Sequence, residues 1–275
     1  MRKGYAMRIT RRRMLQMSAG SLLASGLWPG ALAAQPPQTG AFRFLVINDL
    51  HYIDQRCGTW FDQRVLPPIR QAQQRPDFIL VVGDLVENGT RAQFGPVKDL
   101  LDGLHIPYHV VIGNHDWRTQ TERTIYKVMF PNQINYTFEH QGWQFIGLDT
   151  TEGTNYQNTS IASDTMRWLD DNLPRLNRQR PTVVFTHFPM GPTVTYRPRN
   201  AETLLNKFRD FNLQAVYNGH FHGFTERTVG RSIVTTNRCC AISRNNHDGS
   251  REKGYFQCQA RERRIERTFV EVRPA

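Results

Sequence analysis

The chain has 275 residues, 39% of them hydrophobic and 21% charged, with a formal net charge of +11. That length suits one large domain or two small ones, and no stretch approaches the roughly 18 apolar residues a membrane-spanning helix needs. Six basic residues (Arg2, Lys3, Arg8, Arg11, Arg12, Arg13) fall within residues 1–33, which hold no acid; the rest carries +5, which suits an anionic small molecule and predicts no stable nucleic-acid partner.

Residues 1–33 read as a targeting segment. A basic cluster precedes a moderately apolar stretch, Met14 to Trp28, and a small-residue site, Ala31-Leu32-Ala33. Arg11-Arg12, between Thr10 and Met14-Leu15, resembles a twin-arginine export signal. The expectation is a mature chain starting near Ala34, delivered to the periplasm by the twin-arginine translocase, with Met7 as an alternative start. Residues 34–41 read as a flexible lead-in, and 42–275 as one domain.

From Phe42 short apolar runs rich in β-branched and aromatic residues predict strands: 42–47, 78–82, 108–112, 143–148, 182–186 and 214–218. Their lack of strict alternation predicts sheets buried on both faces. Helical patterns fall between them. One runs from Phe61 to Gln74 and is broken or restarted at Pro67-Pro68. Others cover Thr90 to Leu104, Thr121 to Phe130, Ser163 to Leu173 with Ser as cap, and Glu202 to Phe211. Gly254 to Val272 reads as a hairpin. Alternating strands and helices followed by extra strands imply a layered α/β domain, with its chemistry at the carboxyl ends of strands.

Those ends carry metal-capable residues. The first strand runs into Asn48-Asp49-Leu50-His51 and the second into Gly83-Asp84. The third runs into Gly113-Asn114-His115-Asp116, the 182–186 strand into His187, and the last into Gly219-His220-Phe221-His222. If these segments are extended, Asp49 and His51 share a face, as do His220 and His222, while Leu50 and Phe221 point into apolar packing. Carboxylates, imidazoles and an amide oxygen suit manganese, iron or zinc. Seven candidates (Asp49, His51, Asp84, Asn114, His187, His220, His222) exceed the four of one tetrahedral ion and suggest two ions sharing a carboxylate.

The ordered set "DLH", "GDLVENG", "GNHD", "TH" and "GHFH" resembles the calcineurin-like metallophosphoesterase family, in particular its cyclic-nucleotide phosphodiesterase-like branch. The resemblance implies a four-layer αββα sandwich of two mixed sheets. It implies one metal held by Asp49, His51, Asp84 and His222, and another by Asp84, Asn114, His187 and His220. It further implies hydrolysis of a small phosphate mono- or diester by a metal-bridging hydroxide. His115 would stabilise or protonate the leaving oxygen and so be the catalytic side chain. Glu87 or Asp116 is expected to orient it. A non-catalytic metal- and phosphate-binding scaffold is the alternative.

Other features read more blandly. His105, His109, His140 and His247 are expected to be structural or exposed. Arg197, Arg199, Arg231 and Arg238 read as a solvated surface, with a clasp for a second part of the substrate as the other option. Tyr52, Trp60 and Trp117 are expected in the core or stacked on a substrate ring. Cys57, Cys239, Cys240 and Cys258 read either as free thiols or as disulfides. Thr151 to Ser160 and Met190 to Asn200 are the expected specificity loops.

Overall fold

The computed structural model describes residues 40–273. The targeting segment 1–33, and all of the lead-in before Gly40, lie outside the described residues.

Among the described residues, eleven strands form two mixed sheets. The first sheet has five strands in the order β11-β10-β1-β2-β3. Here β1 (Phe42–Ile47), β2 (Phe78–Val82) and β3 (Tyr108–Val111) are parallel. The hairpin of β10 (Lys253–Arg261) and β11 (Arg264–Val272) adds antiparallel to β1. The second sheet has the order β4-β5-β6-β7-β9-β8. Its parallel centre is β5 (Trp143–Leu148), β6 (Thr182–Thr186), β7 (Leu213–Asn218) and β9 (Ser232–Thr236). Antiparallel edges are β4 (Tyr136–His140) and β8 (Thr225–Val229).

Strand alternation sorts the side chains into three cores. Phe44, Val46 and Leu80 from one sheet meet Phe145, Phe185 and Tyr217 from the other. The opposite residues, Leu45, Ile47 and Val81, face Trp60, Phe94 and Leu101 on helices. On the far side Ile146, Val184 and Val216 face Leu169, Leu204 and Phe208. The expected four-layer sandwich is therefore present. Burying Phe44 alone contributes about 2–3 kcal/mol.

The helices are α1 (Gln55–Trp60), α2 (Leu66–Arg70), α3 (Arg91–Asp102), α4 (Thr124–Met129), α5 (Ser163–Asn172) and α6 (Ala201–Asn206). The first begins earlier than the sequence predicts, because Asp54 caps it by accepting from Arg56 N at 2.9 Å. A π-helical turn, Phe61–Val65, joins α1 to α2. Pro67 and Pro68 sit in the first turn of α2, where a missing N–H needs no partner. Ser163 is not a cap: Ala162 holds that position, without a side-chain bond.

Candidate metal centre

The parallel strands of both sheets run in the direction that gathers the expected motifs at one edge. Asp49 and His51 follow β1, Asp84 follows β2, and Asn114 and His115 lie in a 3₁₀ turn after β3. His187 follows β6, and His220 and His222 follow β7. All seven expected metal ligands are buried, none more than 7% exposed.

The local backbone is not extended. Asp49, His51, Asp84, His220 and His222 all have φ between 44° and 65°. This left-handed region costs a non-glycine residue about 1–2 kcal/mol, and such strain clusters at functional sites. The curl is held by Asp49 N donating to Gly83 O (3.2 Å), His51 N to Asp84 O (2.9 Å) and His220 N to Asp49 Oδ1 (3.0 Å). The shared-face reading of His220 and His222 is thereby corrected: the two rings reach different donor groups. Phe221 also departs from expectation, lying half-buried with its ring 6.1 Å from that of His247, whereas Leu50 packs in the core. Gly83 and Gly113 are required for closeness, since a Cβ on Gly83 would collide with the His187 ring and one on Gly113 with Asp84.

Among the described residues three groups of donor atoms result: Asp84 belongs to two of them, and the other is His51, Glu87 and His115. Asp49, His51, Asp84 and His222 form one, with every donor atom within 4.8 Å of the others. Asp84, His187 and His220 form the second on the same criterion. Asn114 Oδ1 joins the second at 3.2 Å from His187 Nε2. His51 Nε2 lies 3.4 Å from Asp84 Oδ2, and His187 Nε2 lies 3.3 Å from the same oxygen.

Each imidazole is fixed from behind. His51 Nδ1 is 3.0 Å from Glu87 Oε2, and His187 Nδ1 is 3.0 Å from Val82 O. His222 Nδ1 is 3.3 Å from Asn245 O, and His220 Nε2 is 2.7 Å from Tyr156 O. With the proton of each neutral ring on the nitrogen that faces the oxygen behind it, the other nitrogen presents a lone pair. Those lone pairs face one another, His51 Nε2 to His222 Nε2 at 3.0 Å and His187 Nε2 to His220 Nδ1 at 3.2 Å. Either one ring of each pair binds an extra proton or a cation lies between them.

The electrostatics agree. Burial would lower His187, but the charge and hydrogen bond of Asp84, with Asp49, lift it to about 9. Burial likewise opposes the charge on His222, and Asp49 raises it well above the usual range. Their partners go the other way: burial lowers His51, and burial with the His187 charge takes His220 down to about 3. Burial should raise Asp84, yet His187, His115 and His51 hold it well below the carboxylate range. Each donor group thus favours positive charge, and the hard and borderline donors present fit divalent metal ions.

His115 stands beside the first group, its ring centroid 4.8 Å from that of His51. Its main-chain N–H donates to Asp84 Oδ1 (2.9 Å), and its ring Nδ1 is 3.0 Å from Glu87 O. Glu87 therefore orients His115 through its main-chain carbonyl, with Oε1 farther away at 3.4 Å. Asp116 makes no hydrogen bond or ion pair with the ring: its carboxylate accepts from Gly113 N and Val86 N and shapes the turn. The Glu87 side chain is committed to His51 and to an ion pair with Arg244.

The cavity over these groups holds about 560 Å³. Thr154, Tyr156 and Tyr196 come from the two expected specificity loops. Arg244, Asn245 and His247 were not anticipated; the only sequence signal was a polar, loop-like run after Cys240. His247 is thus part of the site, its ring 5.3 Å from that of His222. Arg197 and Arg238 do not line this cavity; Arg197 bonds Met190 O and Glu202, and Arg238 lies over Phe269. Trp60 and Tyr52 are core residues, and Trp117 bonds Thr151 and stacks under Arg123. All four cysteines are buried free thiols.

Two stacked mixed sheets presenting paired carboxylate and imidazole groups at one edge define a metal-binding α/β sandwich protein. The chain belongs to the calcineurin-like phosphoesterase family, whose profile matches residues 42–224. It is similar to the Synechococcus "probable cyclic nucleotide phosphodiesterase", 29% identical over 117 residues, covering 42% of this chain and 44% of that protein. It is also similar to the Arcobacter nitrofigilis "probable glycerophosphodiester phosphodiesterase", 24% identical over 181 residues, covering 61% of this chain and 64% of that protein. The matched region thus spans less than two thirds of either relative. In fold it resembles a dimetal phosphatase from Danio rerio, with a TM-score of 0.63 at 16% identity, covering 84% of this chain and 96% of the other.

Proposed function

We propose that this protein is an exported phosphoesterase that hydrolyses small phosphate diesters or monoesters at a two-metal centre. The observation that carries the reading is the pair of buried donor groups sharing Asp84, with His115 beside them. Asp49, His51, Asp84 and His222 would hold one ion; Asp84, Asn114, His187 and His220 would hold the other. Bound manganese, iron or zinc would supply positive charge to the phosphoryl oxygens and acidify the attacking water.

The chain's own residues account for the rest. Glu87, Val82, Asn245 and Tyr156 keep the four imidazoles aimed, so the donors need little rearrangement as the reaction proceeds. His115 has Nδ1 directed at Glu87 O, so Nε2 is the nitrogen left for the substrate, and it would give a proton to the leaving oxygen from the imidazolium form, in which both nitrogens carry one. Tyr156 and Tyr196 stand at the cavity wall, where the organic part of an ester would rest. Export by the twin-arginine translocase to the periplasm rests on Arg11-Arg12 and the apolar stretch after them. A cell-fractionation experiment with Arg11→Lys and Arg12→Lys together should leave the chain in the cytoplasm.

The deciding experiment is metal analysis with an ester panel: an aryl phosphate, an aryl phosphodiester, a cyclic nucleotide and a glycerophosphodiester. Two metal equivalents with turnover of at least one ester supports the enzyme. Two equivalents with no turnover of any would establish the non-catalytic scaffold instead.

A further inference from the structure

The sandwich has a second concave site, at the opposite ends of β6 and β7 from the metal groups. Arg178 precedes β6, and Leu213 opens β7, whereas His187 and His220 follow those strands. A cavity of about 630 Å³ lies here. It falls in the range of about 300–1,000 Å³ that accommodates small organic ligands. The buried side chains of Leu205, Phe208, Leu213 and Val234 contribute an apolar floor.

Four arginines surround that floor, and they come from four separate segments. Arg178 lies before β6, Arg209 after α6, Arg231 in the β8–β9 turn and Arg263 in the β10–β11 turn. Arg231 thus belongs to this cavity rather than to the metal site. Asp210 is the one acid in the lining; it stands 4.0 Å from Arg178 and 3.9 Å from Arg209, so two guanidiniums share it. Among the described residues, neither Arg231 nor Arg263 has a carboxylate within 4.0 Å. Arg178 also lies over the Phe211 ring, 5.8 Å from its centroid.

Four arginines lining one concave wall with a single carboxylate leave excess positive potential over the low-dielectric floor. Guanidinium forks match the oxygens of phosphate and phosphonate groups. The apolar floor beneath them suits an aromatic or aliphatic body. We infer that this cavity is a second ligand site, distinct from the metal centre, for a small soluble organic phosphate. Its anionic head engages the arginine rim and its body rests on Leu205 and Phe208.

The test is calorimetric titration of the full chain with phenylphosphonate, whose P–C bond a phosphoesterase does not cleave. Metal is first removed with chelator. The expected result is one saturable site, weakened about ten-fold or more in the Arg231→Ala, Arg263→Ala double variant. Asp84→Ala should leave the affinity unchanged, which separates this site from the metal centre. Arg231→Glu on an exposed turn is a second variant expected to fold normally and to weaken binding further. Equal affinity in the double variant overturns the inference. So does the absence of saturation up to about 10 mM, an affinity weaker than small-ligand sites of this kind provide. Arginine-dependent binding to phosphatidic-acid vesicles without phenylphosphonate binding also overturns it, and assigns the rim to a lipid surface.

Discussion

His51 Nε2 and His222 Nε2 lie 3.0 Å apart while Glu87 and Asn245 hold the far side of each ring. The His187–His220 pair repeats this at 3.2 Å. Nitrogen lone pairs so placed repel unless a positive charge separates them. Metal-stripped protein should therefore gain stability from manganese or zinc. At an excess of about 100-fold over Kd the gain is about 2.7 kcal/mol for one site. Asp84→Ala, which removes the oxygen shared by both groups, should abolish binding at both sites. Calorimetry showing one retained equivalent in that variant would mean that Asp84 does not bridge.

His115 should separate binding from rate. Its side chain belongs to neither of the two Asp84-sharing groups, and its link to Asp84 is through the main-chain N–H. His115→Ala should keep metal stoichiometry and lower kcat by about 10²–10⁴-fold. The loss should be smallest on esters with acidic leaving groups, which need no proton. A uniform loss across leaving groups would remove the proton-donor role and leave His115 a positioning residue.

Glu87 supports the first donor group from behind. Glu87→Gln keeps the size but weakens the tie to His51 and breaks the ion pair with Arg244. Metal affinity should fall about 10–100-fold, with the second ion less affected than the first. Stepwise metal titration reads this directly, and equal weakening at both sites would contradict the assignment.

Six of the seven parallel strands were legible because burial on both faces writes them as continuous apolar runs; β9 was not, since "SIVTT" sets only two aliphatic residues among a serine and two threonines. The edge strands β4 and β8 were not: "YTFEH" and "TERTV" alternate partly buried and exposed residues and mix charges into the run. The seven ligands were legible as an ordered motif set. Their backbone was not, since left-handed φ at Asp49, His51, Asp84, His220 and His222 arises from contacts between distant strand ends. Arg244 was equally hidden, because its partner Glu87 lies 157 positions away in the chain. Such a contact has no local spacing to betray it.

His109 gives a pH signature remote from the metals. Its ring stacks on Phe138 at 3.5 Å between centroids and meets Phe78 edge-on. Burial, with the nearby His140, lowers it from 6.5 to about 4. The group facing it is His140, itself 3.2 Å from Asp77. Above pH 6.5 His109 is neutral in both folded and unfolded chains and contributes nothing to pH dependence. Below 6.5 the unfolded chain takes the proton and the folded chain does not, so stability falls until about pH 4 and then levels. His109→Phe keeps an aromatic ring against Phe138 and removes the titration. With both proteins in chelator, wild type should lose about 1–2 kcal/mol more than the variant between pH 7 and 4.5, after discount for partial exposure. Urea unfolding at the two pH values measures the difference. Parallel acid limbs would show that His109 is protonated within the fold and that the Phe138 stack does not exclude its charge.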